Sequence, residues 1–211
     1  MTNAHKPIIG VVGGIGSGKS VVAKMLSERG GHLILADELG HQALREPENR
    51  DRVIARWPSV RDAHGEIDRR ELGHIVFADK GELRELESIS FPWIGNQIRM
   101  ELNMAQNHPN IAWVVLDAAI MLETGWNKVC DRIVYVDTPL THRLQRVAQR
   151  GWTEEDLRKR ELAQWPLAEK ANFSDAVITN DGSLDDLRRQ VAELRTRWEL
   201  SAPIAFTESH G

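Results

Sequence analysis

Residues Gly13-Gly14-Ile15-Gly16-Ser17-Gly18-Lys19-Ser20 follow the spacing G-x-x-x-x-G-K-[ST], and those residue types at that spacing suit phosphate binding. Glycines let successive backbone N–H groups turn inward toward phosphate oxygens. A helix beginning at the end of such a loop adds free N–H groups and the positive end of its dipole. In this arrangement Lys19 reaches the β- and γ-phosphates of a nucleotide, and the Ser20 hydroxyl is a ligand for Mg²⁺. The loop residues Gly14, Ile15, Gly16, Ser17 and Gly18, with Val21 just beyond, complete the expected phosphate cradle.

Three further sets of residues could do chemistry. Asp37 follows the apolar run His32-Leu33-Ile34-Leu35-Ala36, where a strand would deliver it to the ligand-binding edge of an open sheet. There it could accept a proton from an attacking hydroxyl or hold Mg²⁺ through water. It could equally cap the helix that follows. Asp117 follows Ala112-Trp113-Val114-Val115-Leu116 in the same way, as a Mg²⁺-binding carboxylate or a polar loop residue. Arg143, Arg146 and Arg150 recur at helical spacing on one face, and Arg158, Lys159 and Arg160 follow after Gly151. Guanidinium forks suit phosphate and its transition-state charge, and Gly151 suits a hinge. The nearby Glu154, Glu155, Asp156 and Glu161 also fit a solvated charged face.

The elements that must position these groups alternate. Ile8-Ile9-Gly10-Val11-Val12, the two runs above, Arg132-Ile133-Val134-Tyr135-Val136 and Ala176-Val177-Ile178-Thr179 read as buried strands with helical pattern between them. That alternation predicts a doubly wound α/β fold with a parallel sheet. The stretch 37–107 reads as mostly helical: one helix from Asp68 to Phe77, one from Gly81 to Ser88, and one opened by Pro92 and running to Met104. Thr138 as cap with Pro139 in the first turn starts a helix that Gly151 stops, and Thr153 and Ser183 start two more. Leu184, Leu187, Val191, Leu194 and Trp198 form an apolar stripe suited to packing on the sheet.

Bulk properties narrow the function classes. A chain of 211 residues suits one domain. A net charge of −4 gives no reason to expect a nucleic-acid partner. No apolar run is long enough to span a bilayer, and a single cysteine suits a reducing compartment, so the expectation is a cytoplasmic protein without a membrane partner. Asp37-Glu38-Leu39-Gly40 and Asn127-Lys128-Val129-Cys130-Asp131 imitate GTPase signatures, but the aspartate of the second falls one residue too late to pair with guanine. No histidine or cysteine spacing fits zinc.

From about Ile8 to Val191 the chain resembles the dephospho-coenzyme A kinase family. The carriers are the glycine loop, Leu35-Ala36-Asp37, Gly65-Glu66-Ile67-Asp68-Arg69-Arg70-Glu71-Leu72 with Ile75-Val76-Phe77, and Leu116-Asp117 with Leu122-Glu123-Thr124-Gly125. Arg146 and Arg150, Arg160 and Gln164, Lys170, Ser174-Asp175, Asn180 and Gly182-Ser183 follow at matching spacing. The chain departs from the family pattern at Val21, Leu35, Phe91 and the segment after Asp117, near the expected acceptor site. The resemblance implies a three-layer P-loop kinase fold with a central parallel sheet of five strands. It also implies a single domain over 1–200, with core segments near 7–36, 111–140 and 174–200. A substrate-binding helical insertion is expected over 37–107, a helical lid over 141–171 and a loose tail over 201–211. The implied reaction is transfer of the ATP γ-phosphoryl group to the 3′-hydroxyl of dephospho-coenzyme A, with ATP and Mg²⁺ as cofactors. Lys19, Asp37, Arg146 and Asp117 carry the catalysis. Ser20 and Asp117 hold the metal, and Arg150, Asn180 and Gly182 join the nucleotide site. The alternatives are another small-molecule kinase of this fold and a nucleotide-binding regulatory switch.

Overall fold

A computed structural model describes residues 5–201. Ser201 is exposed and outside regular structure, and the rest of the expected tail lies beyond the described residues. Five strands form one parallel sheet: β1 (Ile8–Gly13), β2 (Gly31–Leu35), β3 (Trp113–Asp117), β4 (Arg132–Asp137) and β5 (Ala176–Thr179), in the order β2-β3-β1-β4-β5. The central strands β1 and β3 are buried at every position, as continuous apolar runs require when helices cover both faces.

One face packs against α1 (Lys19–Ser27) and the C-terminal α10 (Leu184–Arg197), with Val22, Leu26, Leu187, Val191 and Leu194 in that core. Leu184, expected in the same stripe, is exposed because it is the first residue of its helix. The other face packs against α2 (Ala36–Ala43) and α5 (Lys80–Asn107) through Leu39, Ile94, Ile98 and Leu102. Between β2 and β3 lie also α3 (Pro47–Arg56) and α4 (Arg69–Val76), which share a small separate core of Val53, Trp57, Val60, Leu72, Val76 and Ile89. After β3 come the short α6 (Met121–Thr124), then, beyond β4, α7 (Leu140–Ala148), α8 (Glu154–Glu161) and α9 (Leu167–Phe173). No helix among the described residues is long and apolar enough to cross a membrane.

The structure corrects several expectations. Residues 81–104 hold no break: α5 runs through Pro92. A proline inside a helix costs about 3 kcal/mol or more. Burial of Ile89, Ile94, Ile98 and Leu102 along this helix, at about 1.5–3 kcal/mol each, outweighs that cost. Ala36 opens α2 instead of ending β2, and Asp117 ends β3 instead of following it. Thr138 does not cap α7: Pro139 occupies the cap position and the threonine hydroxyl is used elsewhere. Thr153 and Ser183 do build capping boxes, with Asp156 and Asp186. Gly151 has a φ of 76°, and paired bonds from Gly151 N to Ala148 O and from Trp152 N to Val147 O close the end of α7.

Candidate active site

The carboxyl ends of the strands converge on the glycine loop between β1 and α1. Gly18 caps α1 in the left-handed region, with φ 89°. A side chain there would be strained, and its Cβ would collide with Asn180 Nδ2. The loop closes on itself through Ser17 N donating to Gly14 O at 3.1 Å and Lys19 Nζ donating to the same carbonyl at 3.0 Å.

Three distant side chains brace the loop from outside by converging on one carbonyl. Thr138 Oγ1, Arg146 Nη1 and Asn180 Nδ2 all donate to Ser17 O, at 2.9, 3.0 and 2.7 Å. Arg146 also donates to Gly16 O at 3.1 Å and to Asn180 Oδ1 at 3.4 Å. Asn180 N in turn donates to Asp137 O at the end of β4, at 2.7 Å. The Ser17 hydroxyl is buried and has no partner. The loop thus holds its shape with that polar group unused.

Asp117 lies opposite Val11 of β1 and Leu35 of β2, so the register puts it beside the start of the loop. It is buried, and burial pushes its carboxyl above the usual range, while a hydrogen bond from Ser20 and the Lys19 charge pull it back. Burial likewise pulls the Lys19 ammonium down, against the charges of Asp117 and Asp37, with Lys170 and Arg150 adding to the fall. Lys19, Ser20, Asp37 and Asp117 therefore form one electrostatic cluster. Asp37 sits exposed in the first turn of α2, two residues past β2. The cap of α2 is Leu35, with no side-chain cap bond, so the reading of Asp37 as a helix cap is overturned.

His41 lies one turn beyond Asp37 on α2. Its Nε2 meets Arg69 Nη2 from the start of α4. Burial and then Arg69 hold its imidazole below the usual value, against the pull of Asp37. Asp68 caps α4 by accepting from Arg70 N at 2.9 Å and Glu71 N at 3.1 Å. The run Gly65 to Leu72 is therefore a turn, a cap and a packed face, with Arg69 the member that reaches His41 on α2.

The arginines divide. Arg146 touches the loop, while Arg150 is exposed and acts on Lys19 through charge. Arg143 is buried, pairs with Glu161 of α8 and lies against Gly14. Arg158 and Lys159 make one-turn surface pairs with Glu154 and Glu155, as a solvated face would. Gly182 stands in the turn before α10, beside Asp186, and Ile15 and Val21 lie on the loop and on the exposed side of α1.

One constellation had no assigned role in the sequence reading. Lys170 is fully buried, and its ammonium meets Glu123 Oε1, Ala119 O and Gln164 Oε1, each at 3.0 Å. Glu123 Oε1 also accepts from Trp165 N at 2.7 Å. This set ties the segment after β3 to the turn after α8, close enough to Lys19 to lower its pKa. Glu123, Gln164 and Lys170 all stood in the recognised motifs, but nothing in their spacing foretold that they meet.

Asp131 settles the GTPase imitation. Its carboxylate accepts from Ile8 N at 2.7 Å and pairs with His5, at the amino end of β1 and away from the loop.

A family model described as dephospho-CoA kinase matches residues 7–186. The dephospho-CoA kinase of Geobacillus kaustophilus is 39% identical over 196 residues, covering 90% of this chain and 96% of the relative. The crystal structure of TT1252 from Thermus thermophilus superposes with a TM-score of 0.78 at 33% identity, covering 93% of this chain and 99% of that one. The dephospho-CoA kinase from Campylobacter jejuni shares the fold, with a TM-score of 0.60 at 24% identity over 91% of this chain and 97% of its own.

Proposed function

The chain belongs to the dephospho-CoA kinase family, and we propose that it transfers the γ-phosphoryl group of ATP to the 3′-hydroxyl of dephospho-coenzyme A. The observation that carries this reading is the glycine loop with Lys19, Asp37 and Asp117 gathered within electrostatic reach of one another at its mouth. Phosphoryl transfer needs positioning and charge neutralisation far more than covalent help.

The loop amides and Lys19 receive the donor phosphates, and Lys19 exchanges its bond to Gly14 O for phosphate oxygen. The Ser20 hydroxyl and the Lys19 charge draw the Asp117 carboxyl down against burial, and the desolvated carboxylate gains from a nearby cation. Those two hard oxygens fit Mg²⁺, which they would hold together with phosphate oxygens and waters, and which would supply neutralisation of the developing charge. Asp37 faces the open side of the cluster, where it takes the proton of the 3′-hydroxyl as that oxygen bonds to the γ-phosphorus. The bond from the γ-phosphorus to the bridging oxygen breaks, and ADP leaves. Arg146 and Asn180 keep the loop in register from behind, and Arg150 adds positive charge above Lys19. We assign the helical segment 37–107 to holding the acceptor and 141–171 to the lid.

An acceptor screen tests this directly. With ATP, dephospho-coenzyme A should be phosphorylated and nucleosides, nucleoside monophosphates and shikimate should not. ATP should also outperform GTP. Faster transfer to any of those other acceptors would reassign the chain to another kinase of this fold.

A further inference from the structure

Arg160 takes no part in the contacts described so far. Its Cζ lies 3.9 Å from the ring centroid of Phe77 and 4.0 Å from that of Trp152. Phe77 closes α4, and Trp152 follows the left-handed Gly151 at the head of α8. One guanidinium therefore joins the helical segment after β2 to the helices after β4, with one aromatic ring from each at cation–π distance. Its edge is different. Among the described residues no acceptor takes any of its N–H groups.

Its neighbours are already committed. Arg158, Lys159 and Arg143 each have a carboxylate partner. Asp156, the charge that supports Arg160, accepts from Thr153 N and Oγ1 at its Oδ2 in the helix cap and makes no hydrogen bond to Arg160 among the described residues. Burial opposes the Arg160 charge, and Asp156 only partly offsets it. An arginine on an open surface would be satisfied by water. This one is half-buried and held in one orientation by two rings, so much of its rotamer freedom is already lost. A guanidinium held this way presents its donors in a fixed fork, the geometry that binds phosphate oxygens in pairs.

The donor phosphates have their own partners at the loop, whereas Arg160 is walled by α4 of the segment assigned above to the acceptor. The acceptor carries a doubly charged diphosphate beside its reacting ribose. We propose that Arg160 is a substrate-binding residue that receives the diphosphate of the acceptor, and that Phe77 and Trp152 hold it in place for that contact. This rests on the functional reading given above.

The test compares dephospho-coenzyme A with adenosine, which has the same ribose and base but no phosphate. Binding of each is measured with Mg²⁺ and a saturating non-hydrolysable ATP analogue, for the wild type, Arg160→Gln and Arg160→Lys. Kinetics with ATP and dephospho-coenzyme A are run in parallel. Dephospho-coenzyme A should bind Arg160→Gln on the order of ten- to a hundredfold more weakly, as loss of charge-assisted hydrogen bonds implies. Adenosine binding and the KM for ATP should stay within about twofold of wild type. The KM for dephospho-coenzyme A should rise by more than kcat falls. Arg160→Lys keeps the charge but not the fork, and should fall between. It carries the comparison if the glutamine variant does not fold. Equal weakening of both ligands, or unchanged binding of dephospho-coenzyme A, would show that Arg160 only pins the two segments together. A wild-type protein that leaves dephospho-coenzyme A unphosphorylated would sink the functional reading instead.

Discussion

The glycine loop and the cleft around Arg160 are built on opposite plans. At the loop the carbonyls are tied to protein: the Ser17 carbonyl takes three side-chain donors, the Gly16 carbonyl takes Arg146, and the Gly14 carbonyl takes Lys19. At Arg160 a single cation lies against two rings, and among the described residues no acceptor takes its guanidinium N–H groups. The loop is set before any ligand arrives, which favours transition-state stabilisation without reorganisation. The cleft is completed by what enters it. The difference separates a catalytic end, where substitutions should act on kcat, from a recognition end, where they should act on KM.

The sharpest way to break this contrast is Lys19→Ala. It removes the closest protein cation from the β,γ-phosphates, and turnover should fall by about 10³-fold or more. Near-normal turnover, measured by ADP release, would remove the loop from the chemistry. Asp37→Asn comes next. Because Asp37 caps nothing, the variant should fold normally by circular dichroism and thermal melting. Loss of the base should lower kcat by about 10²–10⁴. The affinity for ATP should change little, since Lys19 and the loop amides remain. Full activity at saturating substrates would leave Asp37 without a chemical role.

Lys170 sharpens the contrast from the stability side. Lys170→Met strands the buried carboxylate of Glu123, and denaturant unfolding should show a loss of about 3–5 kcal/mol. The double change Lys170→Met with Glu123→Leu should recover most of it, because replacing both members of a buried pair by apolar groups is often close to neutral. A single variant as stable as wild type would mean that the pair is not dry. The smallest expected effect belongs to Arg146→Ala, which frees the Gly16 and Ser17 carbonyls while Thr138 and Asn180 still hold the latter. Turnover should drop at least about tenfold, with little change in acceptor binding. A change within about twofold would show that the brace Arg146 gives the loop is not needed for turnover.

The loop was legible because everything that defines it is local: glycine spacing, a lysine, a serine, and the strand and helix on either side. The five strands were legible for the same reason, as short β-branched runs. What surrounds the loop was not. Thr138 carries the local signature of a helix cap, and only the parallel pairing of β4 beside β1 brings its hydroxyl to Ser17. Pro92 carries the local signature of a helix start, and only burial of the flanking isoleucines keeps α5 continuous. Lys170 meets Glu123, and Arg160 meets Phe77, through the tertiary fold alone. Motif order pointed to the family, while contacts between side chains and distant backbone required the structure.

The division between a preset phosphate end and a ligand-completed acceptor end depends on a single reaction. The direct measurement is product analysis by mass spectrometry and ³¹P NMR after incubation with ATP, Mg²⁺ and dephospho-coenzyme A. The same incubation is run in parallel with the 3′-deoxy analogue of the acceptor. The expected result is coenzyme A phosphorylated at the 3′ position, formed one for one with ADP, and no phosphorylated product from the deoxy analogue. ADP formed without coenzyme A, or phosphate carried equally well by the 3′-deoxy compound, would contradict it.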